Sequence, residues 1–83
     1  MSGATIKVLY FARVAELVGK RTEDWPLAET VTGAQLLAAL AARYPQLEPA
    51  ERLKLAVNQT HVKVGAAVRP GDEVAIFEPV TGG

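Results

Sequence analysis

Two hydrophobic periods alternate along the chain, and the switches between them mark its elements. From Thr5 to Phe11, Ile6, Val8 and Tyr10 fall on one side and Lys7, Leu9 and Phe11 on the other, the two-residue period of a strand. Over Ala12 to Val18 the spacing changes: Val14, Leu17 and Val18 stand at i, i+3 and i+4, and Gly19 follows where a left-handed C-terminal cap belongs. A short helix is predicted there. The stretch Lys20 to Leu27 is polar apart from Trp25, Pro26 and Leu27, and Pro26 has no N–H to give to a ladder, so a strand in this stretch belongs at a sheet edge.

The main helix starts at Thr32-Gly33-Ala34-Gln35, which has the spacing of a capping box, and runs until Pro45 with Leu36, Leu37, Leu40, Ala41 and Tyr44 on one face. The connection Gln46 to Arg52 carries Pro49 and has room for one helical turn before Leu55-Ala56-Val57 begins another strand. Asn58 to Thr60 turns the chain, His61 to Val64 alternates again, and Arg69-Pro70-Gly71-Asp72 suits a type II turn ahead of a last strand over Glu73 to Phe77. The order strand, short helix, strand, long helix, strand, strand, strand predicts an α+β fold: a mixed sheet of about four to five strands with one main helix packed on one face. With 83 residues and no internal repeat or linker, one domain is expected over 1–83, with a flexible C-terminal tail over 78–83.

If the long helix covers one face of the sheet, alternation leaves Lys7, Leu9 and Phe11, then Glu73, Ala75 and Phe77, then His61 and Lys63, on the other. Phe11 and Phe77 lie at strand ends, so parallel neighbouring strands put the two rings together. An aromatic patch beside the chain end reads as a docking surface. The alternative is that loops fold back over both rings.

Nine Lys and Arg balance nine Asp and Glu, and no basic stripe offers a surface for nucleic acid or for an anionic membrane. MSGA leads straight into TIKVLYF without a basic or long apolar leader, so the expected location is the cytoplasm. Cysteine is absent and His61 is the one histidine, which leaves no nucleophile-and-base pair of the usual kinds; the carboxylates are scattered, with no metal-ligand spacing, and the glycines form no phosphate loop. No catalytic or metal-binding residues are therefore assigned. What remains is the tail PVTGG, Pro79 to Gly83. A chance Gly-Gly ending occurs about once in two hundred at average glycine usage, so the motif alone is weak. Its physics says more: glycines without a Cβ lie flat in a narrow channel, and from Glu78 onward a fully extended tail reaches about 17 Å. Such a tip can deliver a carboxylate into another protein's active site.

IKVLYFARVAELVG at Ile6 to Gly19, AVNQT at Ala56 to Thr60 and GDEVAIFEPVTGG at Gly71 to Gly83 together resemble the MoaD-type sulfur carriers, the small subunits of molybdopterin synthase, over about two fifths of the chain. The resemblance implies a ubiquitin-like β-grasp. It also implies that Gly83 is adenylated by an ATP-dependent enzyme similar to those that activate ubiquitin, then converted to a thiocarboxylate (1-thioglycine) by a sulfur donor protein. An α-carboxylate with a pKa near 3.5 is ionised at neutral pH and a poor electrophile, which is why a leaving group must precede sulfur. By the same resemblance Pro79, Val80, Thr81 and Gly82 insert into the large subunit, whose own residues transfer sulfur to cyclic pyranopterin monophosphate in molybdenum cofactor biosynthesis. The implied assembly is a heterotetramer with two of each subunit, docked through Phe11, His61 and Phe77, and no resident cofactor is implied. His61 departs from the family, where a more apolar residue is expected. Rival functions are a ubiquitin-like modifier joined through Gly83 to lysines, a sulfur carrier for thiamine or transfer-RNA thiolation, and a binding domain with an inert tail.

Overall fold

The first strand, β1 (Thr5–Tyr10), and the last, β7 (Glu73–Phe77), lie side by side and parallel, with Val8 opposite Val74 and Tyr10 opposite Ile76. These assignments come from a computed structural model that describes residues 4–47 and 52–79. Between β1 and β7 the chain forms α1 (Ala12–Val18), β2 (Thr22–Pro26), β3 (Val31–Thr32), α2 (Gly33–Arg43), β4 (Lys54–Val57), β5 (Thr60–Val62) and β6 (Ala67–Val68). Among the described residues, β2-β1-β7-β4-β5 make one five-stranded mixed sheet, in which only the β1–β7 pair is parallel. The last strand is therefore in the middle, laddered on both sides. β2, with Pro26 at its end, takes the edge position its sequence predicts.

Alternation decides the faces. Ile6, Val8 and Tyr10 of β1, Val74 and Ile76 of β7 and Leu55 of β4 point inward, where Leu36, Leu37 and Leu40 of α2 and Val14 of α1 meet them in one core. Each fully buried Leu or Ile contributes about 1.5–3 kcal/mol, so this layer carries most of the stabilisation. The helix starts and stops follow local chemistry. Thr32 Oγ1 accepts the Gln35 N–H at 3.1 Å and Gln35 Oε1 accepts the Thr32 N–H at 2.9 Å, the reciprocal cap expected of this spacing. Gly19, at φ 87°, closes α1 by donating its N–H to the Ala15 carbonyl at 2.8 Å.

Three features differ from the sequence expectation. β3 and β6 pair with each other as a second, two-stranded sheet, and two residues are too few for any hydrophobic period. They form where the α2 start is tied to the following loop: Gly33 N–H donates to the Ala66 carbonyl at 2.9 Å and Ala34 N–H to the Val64 carbonyl at 2.7 Å. β5 stops at Val62 instead of continuing to Val64, because the chain turns there and the Lys63 carbonyl accepts the Ala66 N–H at 2.9 Å. The third difference concerns the partner of the Phe77 ring, which belongs to the outer face below. Most of the connection that has room for a helical turn, residues 48–51, lies outside the described residues.

Candidate functional site

The sheet has one face on the helix layer and one facing away from it. On the second face Leu9, Ala75, Ala56 and His61 form a row across β1, β7, β4 and β5, since Leu9 is opposite Ala75, Ala75 opposite Ala56, and Ala56 opposite His61. One step toward the chain end, Phe77 lies opposite Lys54. Phe11 joins on the other side, its N–H donating to the Ile76 carbonyl at 3.2 Å. Leu9, Ala75 and Phe77 are half-buried, His61 is exposed, and Phe11 is 50% exposed. The two alanines keep the middle of the row low between larger neighbours.

The structure brings Phe11, His61 and Phe77 onto this one face, as alternation requires, but the rings pair differently from expectation. Phe77 stands against His61, with centroids 5.1 Å apart and planes at 43°. The strands bearing these rings are separated by β4, and Ala56 is small enough to let the rings meet over it. Phe11 instead stands at the N-cap of α1 and lines, with Leu9, Ala15, Lys20 and Thr22 among others, a cleft of about 650 Å³. Ala56 and Lys54 belong to the patch and were not picked out from the sequence; the alternation of Lys54-Leu55-Ala56-Val57 carries that signal.

Charge is unevenly placed around the patch. At the far end Lys7 lies between Asp24 and Glu73 in the ladder, so its charge has acidic neighbours on both sides. At the tail end the ladder neighbour of Phe77 is a lysine, Lys54. Beyond Phe77 come half-buried Glu78 and exposed Pro79, while Val80, Thr81, Gly82 and Gly83 lie outside the described residues. The tail thus leaves from a central strand, whose ladders to β1 and β4 resist any pull on it.

A polar cluster on the opposite side of the sheet was not legible in the sequence. Glu23 of β2 accepts hydrogen bonds at Oε1 from the Tyr10 hydroxyl at 2.7 Å and the Tyr44 hydroxyl at 2.6 Å, and Lys20 Nζ stands 3.7 Å from Oε2. Burial alone raises the Glu23 pKa, but the hydrogen bonds from Tyr44 and Tyr10 and the charges of Lys20 and Arg43 outweigh it, holding the carboxyl below its usual range. Burial, then the hydrogen bond to Glu23 and its charge, push the Tyr10 hydroxyl far above the ordinary tyrosine range. An ionised acceptor with two fixed neutral donors acts as a brace, tying edge strand β2 to β1 and to the end of α2. The available signal was the inward register position of Glu23, opposite Val8.

Among the described residues no group of three or more His, Cys, Asp or Glu is placed to hold a metal ion, and no helix is long and apolar enough to cross a membrane. The outer face offers an apolar surface for docking, and β7 leads from it toward the chain end.

Comparison with known proteins places this arrangement among relatives. The sequence pattern of the ThiS family matches residues 8–83. The molybdopterin synthase sulfur carrier subunit of Escherichia coli is 46% identical over 82 residues, which is 94% of this chain and 99% of that protein. In structure, the small archaeal modifier protein 1 of Haloferax volcanii superposes with a TM-score of 0.77 at 30% identity, covering 94% of this chain and 100% of that one. A ubiquitin from Caldiarchaeum subterraneum, 16% identical with a TM-score of 0.66 over 99% of this chain and 100% of that one, shares the fold alone. The architecture is the ubiquitin-like β-grasp.

Proposed function

The chain belongs to the ThiS family, and from that membership we propose that it is the sulfur carrier subunit of molybdopterin synthase, serving molybdenum cofactor biosynthesis. The observation that carries this reading is the 46% identity to the Escherichia coli sulfur carrier subunit along nearly the whole of both chains. The open sheet face supports it, because a carrier must be gripped by its partners at a surface its own core does not use.

The steps follow from the chemistry of a carboxylate. Gly83 gains a leaving group when its carboxylate oxygen attacks the α-phosphate of ATP, forming the acyl adenylate and releasing pyrophosphate. The terminal sulfur of a donor protein's persulfide then attacks the carbonyl carbon and AMP departs; a thiol attacks the donor's sulfur in the resulting acyl disulfide, leaving a thiocarboxylate on Gly83 and the donor's sulfur in a disulfide with that thiol. The adenylating enzyme is of the ubiquitin-activating kind. This chain's own residues contribute geometry rather than catalysis: β7 anchors the tail, Phe11, His61 and Phe77 dock on the large subunit, and Pro79, Val80, Thr81 and Gly82 thread toward the large subunit's active site. There the sulfur passes to cyclic pyranopterin monophosphate, and two carriers serve a dimer of large subunits in the cytoplasm. No resident cofactor is needed in the carrier itself.

Intact mass of the protein co-expressed with an adenylating enzyme and a sulfur donor tests this reading. The expected result is an oxygen-for-sulfur exchange localised to Gly83 and abolished by its deletion; an unchanged mass under conditions that load a control carrier refutes it. The 30% identity to a small archaeal modifier favours a second use of the same tail, isopeptide transfer to lysines. Lysine-linked adducts in extracts, lost on deletion of Gly83, report that use.

A further inference from the structure

The outer face of the sheet carries unlike charge at its two ends. Where β7 begins, Lys7 is opposite Asp24 on one side and Glu73 on the other, so the lysine of that rung lies between two carboxylates. Where β7 ends, Phe77 is opposite Lys54, which shares its face. Lys54 precedes Leu55, and the ladder partner of Leu55 is Val62, the residue before Lys63. Lys54 and Lys63 therefore flank the last rung of the β4–β5 ladder, and both are exposed. Like charges brought together on neighbouring strands repel, a small cost to the free protein.

Among the described residues the one ion pair joins Lys20 to Glu23, so neither Lys54 nor Lys63 is paired with a described carboxylate. Half-buried Glu78, directly after Phe77, is included in that statement. The rungs of Glu73 and Phe77 are about 13 Å apart along β7 at the rise of a strand, farther than the Debye length of about 8 Å at physiological ionic strength. A partner covering this face therefore meets the charge of each end separately. Leu9, Ala75 and Ala56, in the row between, carry no charge that would blur the difference.

We propose that Lys54 and Lys63 form a cationic rim beside the foot of the tail, which takes a carboxylate-bearing edge of the large subunit and fixes which way round the carrier docks. The inference rests on the docking reading above and adds the charge that the partner must present: an apolar patch bordered by Asp or Glu where the tail enters. An exposed ion pair contributes little to the stability of a single chain, but a rim charge at an interface acts on encounter. It raises the association rate and penalises the reversed orientation, in which the partner's carboxylates would meet Asp24 and Glu73.

Affinity and association rate toward the cognate molybdopterin synthase large subunit, measured at low and high salt beside a melting curve for each variant, test it. Lys54→Glu is expected to bind about three- to tenfold more weakly at about 0.05 M salt, chiefly through slower association, and to come within about twofold of the parent at about 1 M, where the Debye length is about 3 Å. Lys63→Glu is expected to act in the same direction. Arg69→Glu makes the same change in net charge at the other end of the face, in the turn whose Gly71 N–H donates to the Thr5 carbonyl at 2.8 Å, and is expected to stay within about twofold of the parent. If Lys54→Glu melts lower than the parent, Lys54→Gln carries the same test with an expected loss of about two- to threefold. Unchanged binding by the Lys54 variants, a loss that persists at high salt, or an equal loss from Arg69→Glu each overturns the rim. Phe77→Ala separates the two layers: if it too leaves affinity unchanged, the docking reading itself fails, and if it weakens binding while the Lys54 variants do not, docking stands and only the rim falls.

Discussion

The imidazole of His61 lies against the ring of Phe77, with centroids 5.1 Å apart and planes inclined at 43°, over the small side chain of Ala56. An exposed polar residue is thereby built into an apolar patch. A histidine at position 61 thus keeps an aromatic surface while adding ring nitrogens to the patch.

Phe77→Ala is expected to weaken binding to the large subunit about tenfold or more while leaving the fold intact, as truncation of an aromatic anchor commonly does. The fold survives because Val74 and Ile76, fully buried on the other side of β7, hold that strand. Titration calorimetry measures the affinity and a melting curve the fold; equal affinity removes Phe77 from the interface.

Tyr44→Phe removes one of two donors to Glu23 and is expected to lower stability by about 1.5–3 kcal/mol at neutral pH, the range for a hydrogen bond to a charged group. Because the folded Glu23 pKa is depressed, its contribution is present above the unfolded carboxyl pKa and disappears as pH falls through the folded value. The variant and the parent should therefore converge in stability on acidification. Tyr10 has the opposite sign: its raised pKa leaves stability unaffected below about pH 10, the unfolded tyrosine value, and erodes it above. Urea unfolding across pH checks both limbs, and a stability gap that persists in acid contradicts the assignment to ionised Glu23.

Gly33→Ala should destabilise the protein by about 1–3 kcal/mol even though alanine is the better helix former. An added Cβ would come within 3.0 Å of both Leu55 Cδ1 and the Val64 carbonyl oxygen. The leucine can shift; the carbonyl, near the helix start and in a hydrogen-bonded loop, cannot easily do so. A chemical denaturation midpoint equal to or above that of the parent would show that the contact relaxes freely.

Gln59→Gly is expected to stabilise, because relief of about 1–2 kcal/mol of left-handed backbone strain exceeds the about 0.5–1 kcal/mol that glycine's freer unfolded chain costs. Asn58 and Gln59 carry φ values of 51° and 71° in the turn between β4 and β5, and two positive φ angles are what a type I′ hairpin imposes. Asn58 suits its place: its carbonyl oxygen accepts the Glu73 N–H at 3.0 Å and its amide donates to Asp72 at 3.1 Å. Gln59 has no such compensation among the described residues. A lowered melting temperature would mean that the glutamine makes an unrecognised contribution.

Much of the fold was legible because its signals are local. The period-two runs at Thr5–Tyr10 and Glu73–Phe77, the Thr32–Gln35 cap and the glycine closing α1 each act within a few residues, and all stand where the sequence puts them. The two-residue strands β3 and β6 were not legible, since their pairing depends on the α2 start meeting a loop more than thirty residues away. At the patch, face membership was readable from alternation, whereas the ring contact was not: Phe77 meets His61 only because β4 separates their strands with an alanine between them.

By itself the sequence determined which residues face inward, where the helices cap, that one sheet face lacks helix cover, and which family the chain resembles. These are consequences of backbone periodicity and side-chain polarity acting over short distances. Tertiary structure decided that the last strand lies in the middle of the sheet, that Glu23 is braced by two tyrosines, and that Lys54 stands opposite Phe77 where the tail begins. Those outcomes depend on contacts between segments far apart in the chain, whose free energies local sequence does not encode.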